Sequence, residues 1–296
     1  MKNIIFTLII GIFFFTGCGQ AEVENLPSEK VEKPSIEESQ KDITTELSEP
    51  NTEAVEDEKA TTPNPSNNDY VANTSLSWYL RPNLEHTTPG VPTDVVEMLQ
   101  RNAGFYVLPS SNKIYLTFDE GYELGYTPQI LDTLKAYNVK ATFFITGHYL
   151  KSQPDLVLRM VNEGHTVANH TVNHPNLATV SAEKLADEIL SLDEDFHKLT
   201  GTQMGKYIRP PAGNYSEASL KATSEIGYKT VFWSLAFNDW DPNNQPGRDY
   251  SYKYVVDHIH PGAVILLHAV SASNTEALAD IIIDLQKSGY VFSLFE

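Results

Sequence analysis

Hydrophobic and polar positions divide the chain into three parts. Residues 4–15 are almost continuously apolar, residues 19–73 show no sustained hydrophobic period, and the rest of the chain alternates short apolar runs with segments in which apolar residues recur every three or four positions. Short apolar runs rich in β-branched residues predict buried strands, and the longer recurrence predicts amphipathic helices. We therefore expect one large domain of alternating strands and helices in the last part of the chain.

The elements of this domain can be placed from the pattern. Strands are predicted over residues 114–118, 141–145, 165–169, 207–209, 230–234, 263–267 and 290–294. Helices are predicted over residues 93–102, 128–137, 154–163, 181–200, 216–226 and 274–287. Strands that alternate with helices imply right-handed crossovers and a parallel sheet. The fold class is therefore α/β, and a (β/α) barrel, distorted or incomplete, is favoured over an open sheet.

The N-terminal apolar run predicts an export signal over residues 1–18. Lys2 supplies a positive start, and the run ends at Cys18 in a sequence that resembles the lipobox of bacterial lipoproteins. An uncleaved membrane helix is disfavoured because the run is shorter than the ~20 residues that a span needs. Cys18 is the only cysteine, so the chain forms no internal disulfide. We expect lipidation at Cys18 and an exported protein anchored to the outer face of the bacterial cell membrane, facing the cell wall.

Charge assigns residues 19–73 to an acidic linker. Residues 20–70 contain 14 acidic and 4 basic residues, and the whole chain has a formal net charge of −18. Such a polar, self-repelling stretch cannot bury enough apolar surface to fold, so we expect a disordered spacer. Residues 74–111 are predicted as an N-terminal extension that wraps the domain of residues 112–293. The acidic balance argues against a nucleic-acid partner, and we expect a monomer.

Charged and aromatic residues stand at the ends of several predicted strands. They are Asp119, Glu120, His170, His174, Arg209, Asp239, Trp240 and His268. The carboxyl ends of parallel strands meet at one edge of a sheet, where strand-and-helix enzymes build their active sites. We therefore expect these residues to surround one site.

The four-residue spacing of His170 and His174 predicts two imidazoles on one side of a helical turn. Two neutral imidazoles and one carboxylate can hold zinc or another divalent ion while leaving a position open for water. The alternative is one core histidine and one capping histidine.

The remaining charged residues suggest acid–base chemistry. His268 follows an apolar strand and could give a proton to a leaving amine, with Asp239 raising its basicity. Arg209 could hold Asp119 ionised through a bidentate pair. The alternatives are a hydrogen-bonded core histidine at position 268, a loop cap at Asp239 and a weak surface ion pair at Arg209.

Five segments of the chain together resemble the motifs of a known family. They are residues 117–121 (Thr-Phe-Asp-Glu-Gly), 170–174 (His-Thr-Val-Asn-His), 209–213 (Arg-Pro-Pro-Ala-Gly), 239–240 (Asp-Trp) and 266–268 (Leu-Leu-His). The family is that of polysaccharide deacetylases with the NodB homology domain, carbohydrate esterase family four, which implies an incomplete seven-stranded NodB-type barrel. Residues 232–237 (Phe-Trp-Ser-Leu-Ala-Phe) further resemble the delta-lactam-biosynthetic de-N-acetylases, which act on N-acetylmuramic acid in peptidoglycan.

The resemblance implies a role for each matched residue. The matches are Asp119 as general base, Arg209 as the residue that orients it, His170 and His174 as metal ligands, the Ala212 amide as oxyanion donor, His268 as general acid, Asp239 as the carboxylate that tunes it, and Trp240 and Leu266 as lining of the acetyl pocket. Glu120 stands where the family has an aspartate metal ligand, so direct ligation, ligation through water and no ligation all stay open. Ala212 lacks the side chain that relatives carry at its position.

The function expected from these features is metal-dependent de-N-acetylation of an amino sugar in peptidoglycan glycan strands, with release of acetate. N-acetylmuramic acid is the expected sugar, on the route to the muramic delta-lactam, and zinc is the divalent ion expected first. The alternatives are an N-acetylglucosamine deacetylase, a glycosidase that uses Asp119 and Asp239 without a metal, and a catalytically silent wall-binding lipoprotein. The expected partners are peptidoglycan and, through the lipid anchor, the membrane.

Overall fold

The computed structural model describes residues 73–296. The predicted export signal, the lipidation site at Cys18 and all of the acidic linker except residue 73 lie outside the described residues. No helix within residues 73–296 combines the length and the apolar character needed to cross a bilayer.

Strands and helices alternate through most of this region. In chain order the elements are β1 (Leu76–Ser77), α1 (Thr93–Arg101), β2 (Lys113–Glu120), α2 (Thr127–Ala136), β3 (Thr142–Ile145), α3 (Gly147–Ser152), α4 (Pro154–Asn162), β4 (Thr166–Asn169), α5 (Ala182–Thr200), β5 (Gly205–Ile208), a 3-10 turn (Pro211–Gly213), β6 (Asn214–Tyr215), α6 (Glu217–Glu225), β7 (Lys229–Thr230), α7 (Arg248–His258), β8 (Val264–His268), α8 (Ala272–Lys287) and β9 (Val291–Phe292).

Seven strands form one sheet in the order β7-β5-β4-β3-β2-β8, with β9 beside the start of β2. Each of these strand pairs is parallel. Beyond β7 the chain crosses to the opposite edge of the sheet, where Leu235 forms a parallel bridge with Ile265 of β8. The sheet therefore curls into an incomplete barrel, which confirms the predicted α/β class and the distorted (β/α) barrel.

The buried strands supply the apolar core of the barrel. Residues Ile114 to Glu120 of β2 are all buried, and Phe118 stacks on Phe143 of β3 with 5.2 Å between the ring centroids. Ile130 of α2 and Ile281 of α8 belong to the same apolar cluster. Complete burial of such a side chain stabilises a fold by roughly 1.5–3 kcal/mol. The core thus fixes the point at which the end of β2 leaves the sheet.

The longest helix, α5, begins and ends where its sequence indicates. The Ser181 hydroxyl accepts a hydrogen bond from the Lys184 amide at the first turn, and Gly201 ends the helix with a φ of 70°. That left-handed conformation is one that glycine adopts readily, because it has no β-carbon. Ile189 and Phe196 lie on the buried face of the helix.

The segment before β2 packs along the edge formed by β7. Trp78 stacks on Phe232 with 4.5 Å between ring centroids, and its Nε1 donates to the Trp233 carbonyl oxygen over 3.0 Å. The Phe105 amide donates to the Thr230 carbonyl oxygen, and the Phe232 amide donates to the Phe105 carbonyl oxygen, both over 2.9 Å. These contacts hold residues 231–233, which follow β7, against the N-terminal segment.

Two regions differ from the predicted elements. The predicted strand of residues 230–234 is regular only as β7, because the amides of Ser234 and Leu235 turn to the Val264 carbonyl oxygen of β8, at 3.0 and 3.2 Å. The sequence also gives no prediction for α3 or α7. The first has only six residues, and the second buries only Ser251 and Val255, so it lacks the apolar recurrence by which helices are recognised.

Candidate active site

A cavity of about 640 Å³ opens at the carboxyl ends of the strands. The residues singled out in the sequence that line it are Asp119, His170, His174, Ala212, Trp240, Leu266 and His268. Arg209 and Asp239 are buried directly behind Asp119 and His268, to which they are hydrogen-bonded. The structure therefore brings together all of the candidate site residues of the domain except Glu120.

Asp119 and Arg209 form a buried ion pair at the centre of the site. Arg209 Nη1 donates to Asp119 Oδ1 over 2.6 Å, and Nη2 donates to Thr117 Oγ1 over 2.9 Å. The guanidinium lies over the ring of Phe144, 4.2 Å from its centroid. Burial alone would raise the pKa of Asp119, but Arg209 and then the neighbouring histidines bring that pKa below its ordinary value. Asp119 is therefore held ionised, with Oδ1 engaged by the arginine.

His170 presents one ring nitrogen to the cavity. Its Nδ1 lies 2.8 Å from the Arg209 carbonyl oxygen, and because a carbonyl oxygen can only accept, Nδ1 carries the proton. Nε2 therefore keeps its lone pair, 3.6 Å from Asp119 Oδ2. Burial lowers the pKa of His170 to about 4, although Asp119 opposes this shift. A neutral imidazole whose second nitrogen donates to a backbone carbonyl is the usual state of a metal-ligating histidine.

His174 lies on a loop that is not the helical turn suggested by the spacing. Thr171 and His174 have φ values of 69° and 57°, in the left-handed region, which a right-handed helix excludes. The His174 amide donates to Thr171 Oγ1 over 2.9 Å and closes the loop. The rings of His170 and His174 still meet, with their centroids 4.8 Å apart. The expectation of a helical turn is wrong, but the two imidazoles share one wall of the cavity.

Glu188 of α5 holds the loop between the two histidines. Its buried carboxylate accepts hydrogen bonds from the Asn173 amide and from Asn173 Nδ2, both over 2.8 Å, and it pairs with Lys184 Nζ at 2.9 Å. Its backbone carbonyl accepts from the Val172 amide over 3.1 Å. The position of His174 therefore depends on a carboxylate that does not line the cavity.

Asp239, which is buried, forms a second pair with the partly buried His268. Asp239 accepts from His268 Nδ1 over 2.7 Å, from the His268 amide over 2.9 Å and from Asn274 Nδ2 over 2.5 Å. Burial would lower the pKa of His268, but the hydrogen bond and charge of Asp239 raise it above its ordinary value. The protonated ring is therefore favoured, with Nδ1 on Asp239 and Nε2 as the nitrogen left for the cavity.

The 3-10 turn and two apolar residues complete the wall. Pro210 and Pro211 have no amide hydrogen, so Ala212 supplies the first N–H after the arginine. Its φ is 52°, and it is among the residues that line the cavity. Leu266 is buried in the floor, whereas Trp240 is 59% exposed and stands at the rim.

Glu120 does not reach the cavity. Successive residues of a strand point to opposite faces, and Glu120 turns away from Asp119 into a buried place beside α2. There the hydroxyl of Thr127 lies 3.4 Å from each of its carboxylate oxygens. Burial raises the pKa of Glu120 well above its ordinary value, and Glu123 adds to the shift. The structure therefore leaves Glu120 out of the candidate metal site.

Three supporting residues received no role from the sequence. Thr117 lies 92 residues from Arg209, and Asn274 lies 35 residues from Asp239, so no local pattern connects these partners. Glu188 alone carries a signal, because it is a charged residue beside Ile189 on the apolar face of a predicted helix. Charged residues are almost never fully buried unless they are paired, so such a position suggests a buried contact.

The donor set at this wall suits a divalent ion. No three His, Cys, Asp or Glu side chains in residues 73–296 already stand in the arrangement of a complete metal site. His170 and His174 nevertheless offer imidazole nitrogens, and Asp119 offers a carboxylate oxygen, on the same wall of one cavity. These are the donor types that zinc and similar ions take when water or substrate completes the shell.

The incomplete barrel and the residues at its mouth belong to a polysaccharide deacetylase, as the similarity to known proteins shows. A family model for polysaccharide deacetylases matches residues 108–231. The chain is also 47% identical over 223 residues to the peptidoglycan-N-acetylmuramic acid deacetylase PdaA of Bacillus subtilis, a match that covers 75% of this chain and 85% of the relative. The chain therefore belongs to the polysaccharide deacetylase family, carbohydrate esterase family four, whose members generally depend on a metal ion.

The chain is also similar to a solved structure and to a deacetylase named for a different sugar. The solved structure of Bacillus subtilis PdaA matches with a TM-score of 0.74 and 46% sequence identity, over 75% of this chain and 96% of that chain. A peptidoglycan-N-acetylglucosamine deacetylase of Bacillus cereus is 39% identical over 184 residues, covering 61% of this chain and 66% of the relative.

Proposed function

We propose that this protein removes the acetyl group from N-acetylmuramic acid in peptidoglycan, on the route to the muramic delta-lactam. The observation that carries the reaction is that one cavity is lined by Asp119, whose pKa Arg209 brings below its ordinary value, and by His268, whose pKa Asp239 raises. The choice of sugar is supported by the 47% identity to a relative named for that substrate. N-acetylglucosamine is the second candidate, supported by the relative from Bacillus cereus at 39% identity.

The proton transfers follow from the Asp119–Arg209 and Asp239–His268 pairs. Asp119 takes a proton from the attacking water at Oδ2, since Oδ1 is held by Arg209. The Ala212 amide is proposed to donate to the oxyanion that develops on the acetyl carbonyl. His268 then gives the proton on Nε2 to the departing sugar nitrogen, while Asp239 stabilises the charged ring. The products are acetate and a free amino sugar.

His170 and His174 are proposed to hold a divalent ion, with zinc as the first candidate. The support is the lone pair on His170 Nε2, which its hydrogen bond to the Arg209 carbonyl oxygen leaves free. When bound, such an ion would polarise the acetamide carbonyl and acidify water. Asp119 lies close enough to His170 to share the ion or to take the proton of the water beside it.

We also propose that the protein is exported, lipidated at Cys18 and anchored to the outer face of the cell membrane as a monomer. Residues 19–73 would then carry the domain toward the cell wall. The support is the apolar run that ends at Cys18 and the acidic composition that follows it. Cys18→Ser should release the protein from membranes into the medium, and a variant that stays membrane-bound would contradict the anchor.

Mass spectrometry of muropeptides tests the reaction and the sugar together. Purified protein supplied with zinc should remove one acetyl mass from muramic acid residues, and a chelator should stop the reaction. Acetyl loss on glucosamine alone would favour the second candidate. New reducing ends without acetate, insensitive to chelator, would indicate a glycosidase, and binding without product would indicate a silent wall-binding protein.

A further inference from the structure

A second cavity of about 570 Å³ adjoins the reaction cavity. The two cavities share Gly121, Tyr122 and His174 as lining residues, so they are direct neighbours. The second cavity extends over α3, where His148 and Lys151 line it. A substituent of a sugar bound at Asp119 could therefore lie beside these basic side chains.

Within residues 73–296, Lys151 lines a cavity and has no carboxylate partner, unlike most of the other lysines and arginines. In residues 73–296 the lysines and arginines without an ion pair are Arg81, Lys140, Lys151 and Lys229. Lys140 and Lys229 each donate to a backbone carbonyl oxygen instead. Arg81 lines neither of the two neighbouring cavities.

The net charge of the domain makes this position informative. Acidic residues outnumber basic residues in the described region. In such a region most lysines find a carboxylate partner, so a lysine without one is unusual. Lys151 instead lies exposed where the cavity adjoins His174. An ammonium in a cleft attracts an anionic group of a ligand, and the attraction falls with ionic strength.

We propose that the second cavity binds the lactyl carboxylate of the muramic acid unit, with Lys151 as its ion-pair partner. In this sugar the lactyl ether stands on C3, next to the acetamide on C2, so a carboxylate accompanies the reacting amide at short range. N-acetylglucosamine has a hydroxyl at that carbon and offers no charge. The inference rests on the proposed deacetylation of N-acetylmuramic acid, and it gives that function a residue that distinguishes the two sugars.

Steady-state kinetics on matched glycans test this subsite. The glycans carry N-acetylmuramic acid with the lactyl carboxylate free, converted to its methyl amide, or linked to a stem peptide. Lys151→Gln should raise KM for the free carboxylate about fivefold with little change in kcat, as expected for a partly screened ion pair. It should leave KM for the methyl amide unchanged. Lys151→Arg should keep the low KM, and added salt should shrink the difference between the proteins.

The control variant is Lys221→Gln, which removes an exposed lysine of α6 that lines neither cavity. It should behave like the unaltered protein on all three glycans. An equal rise in KM for the free carboxylate and the methyl amide would overturn the assignment, because the effect of Lys151 would then not depend on the charge of the lactyl group. An effect confined to the peptide-linked glycan would place the recognised carboxylate on the peptide and would also overturn it. Failure of the proposed function is distinct, since the unaltered protein would then remove no acetyl group from muramic acid in any of the three glycans.

Discussion

Replacing Arg209 with methionine should destabilise the domain in a pH-dependent way. Methionine keeps an apolar stem but removes the charge that lies 2.6 Å from Asp119. Both side chains are buried, so Asp119 would remain as an uncompensated carboxylate. Breaking a buried pair by removing one partner costs about 3–5 kcal/mol. We expect the free energy of unfolding at neutral pH to fall by about 3 kcal/mol, the lower end of that range, because Asp119 can take up a proton.

The pH dependence follows from the pKa of Asp119. In the unaltered protein this pKa lies below its ordinary value, so the ionised carboxylate stabilises the fold above the unfolded pKa, and that contribution is lost as the pH falls through the folded pKa. Without the arginine, burial would raise the folded pKa above the unfolded one. The carboxylate then becomes destabilising as the pH rises, and the two proteins should differ least in acid and most at neutral pH.

Urea unfolding in the presence of a chelator measures the effect without a bound ion. The Arg209→Met protein and the unaltered protein should be compared from about pH 4, near the unperturbed pKa of an aspartate, up to neutral pH. Adding Asp119→Asn to Arg209→Met should restore part of the lost stability at neutral pH, because no buried charge remains. A loss of the same size at every pH would refute the reasoning, since it would trace to packing against Phe144 instead of to the unpaired carboxylate.

Three further variants test the supports of the site. Glu188→Gln weakens the bonds that hold the loop of His174 and should lower zinc affinity about tenfold by calorimetry, whereas unchanged affinity would contradict a positioning role. Asp239→Asn removes the charge that raises the pKa of His268, so the alkaline limb of the kcat profile for acetate release should move to lower pH, and an unmoved limb would count against His268 as the acid. Glu120→Gln should leave zinc affinity unchanged. It should also alter the free energy of unfolding at neutral pH by less than about 1 kcal/mol, because the buried carboxyl group favours its neutral form. A large loss of zinc affinity would show that Glu120 belongs to the metal site.

The two acids at the end of β2 show how much of the site the sequence alone predicts. The apolar run before Asp119 predicts a buried strand, and β2 occupies residues Lys113–Glu120. The alternation of side chains along that strand already implies that Asp119 and Glu120 face opposite sides. The family resemblance gave Asp119 the role of base and left ligation by Glu120 open, and in the structure Glu120 turns away from the cavity as the alternation requires. For Glu120, the alternation of side chains along a strand therefore answers the question that the motif leaves open.

Contacts between distant residues set the limit of the sequence interpretation. Asp119 and Arg209 could be expected to meet because both stand at the ends of parallel strands. The contact of Glu188 with Asn173 depends instead on how α5 packs below a loop, and the left-handed φ of His174 follows no helical spacing. In the same way, the end of β7 could not be placed without knowing that the chain crosses to β8.

The central claim is that Asp119 is the base of a metal-assisted deacetylation of N-acetylmuramic acid. Mass spectrometry of muropeptides treated with zinc-loaded Asp119→Asn and with the unaltered protein tests it most directly. Asparagine has nearly the same shape but cannot accept the proton of water, so the variant should fold and release no acetate above background. The unaltered protein should remove one acetyl mass from muramic acid. Acetate release by Asp119→Asn at a rate near that of the unaltered protein would contradict the account.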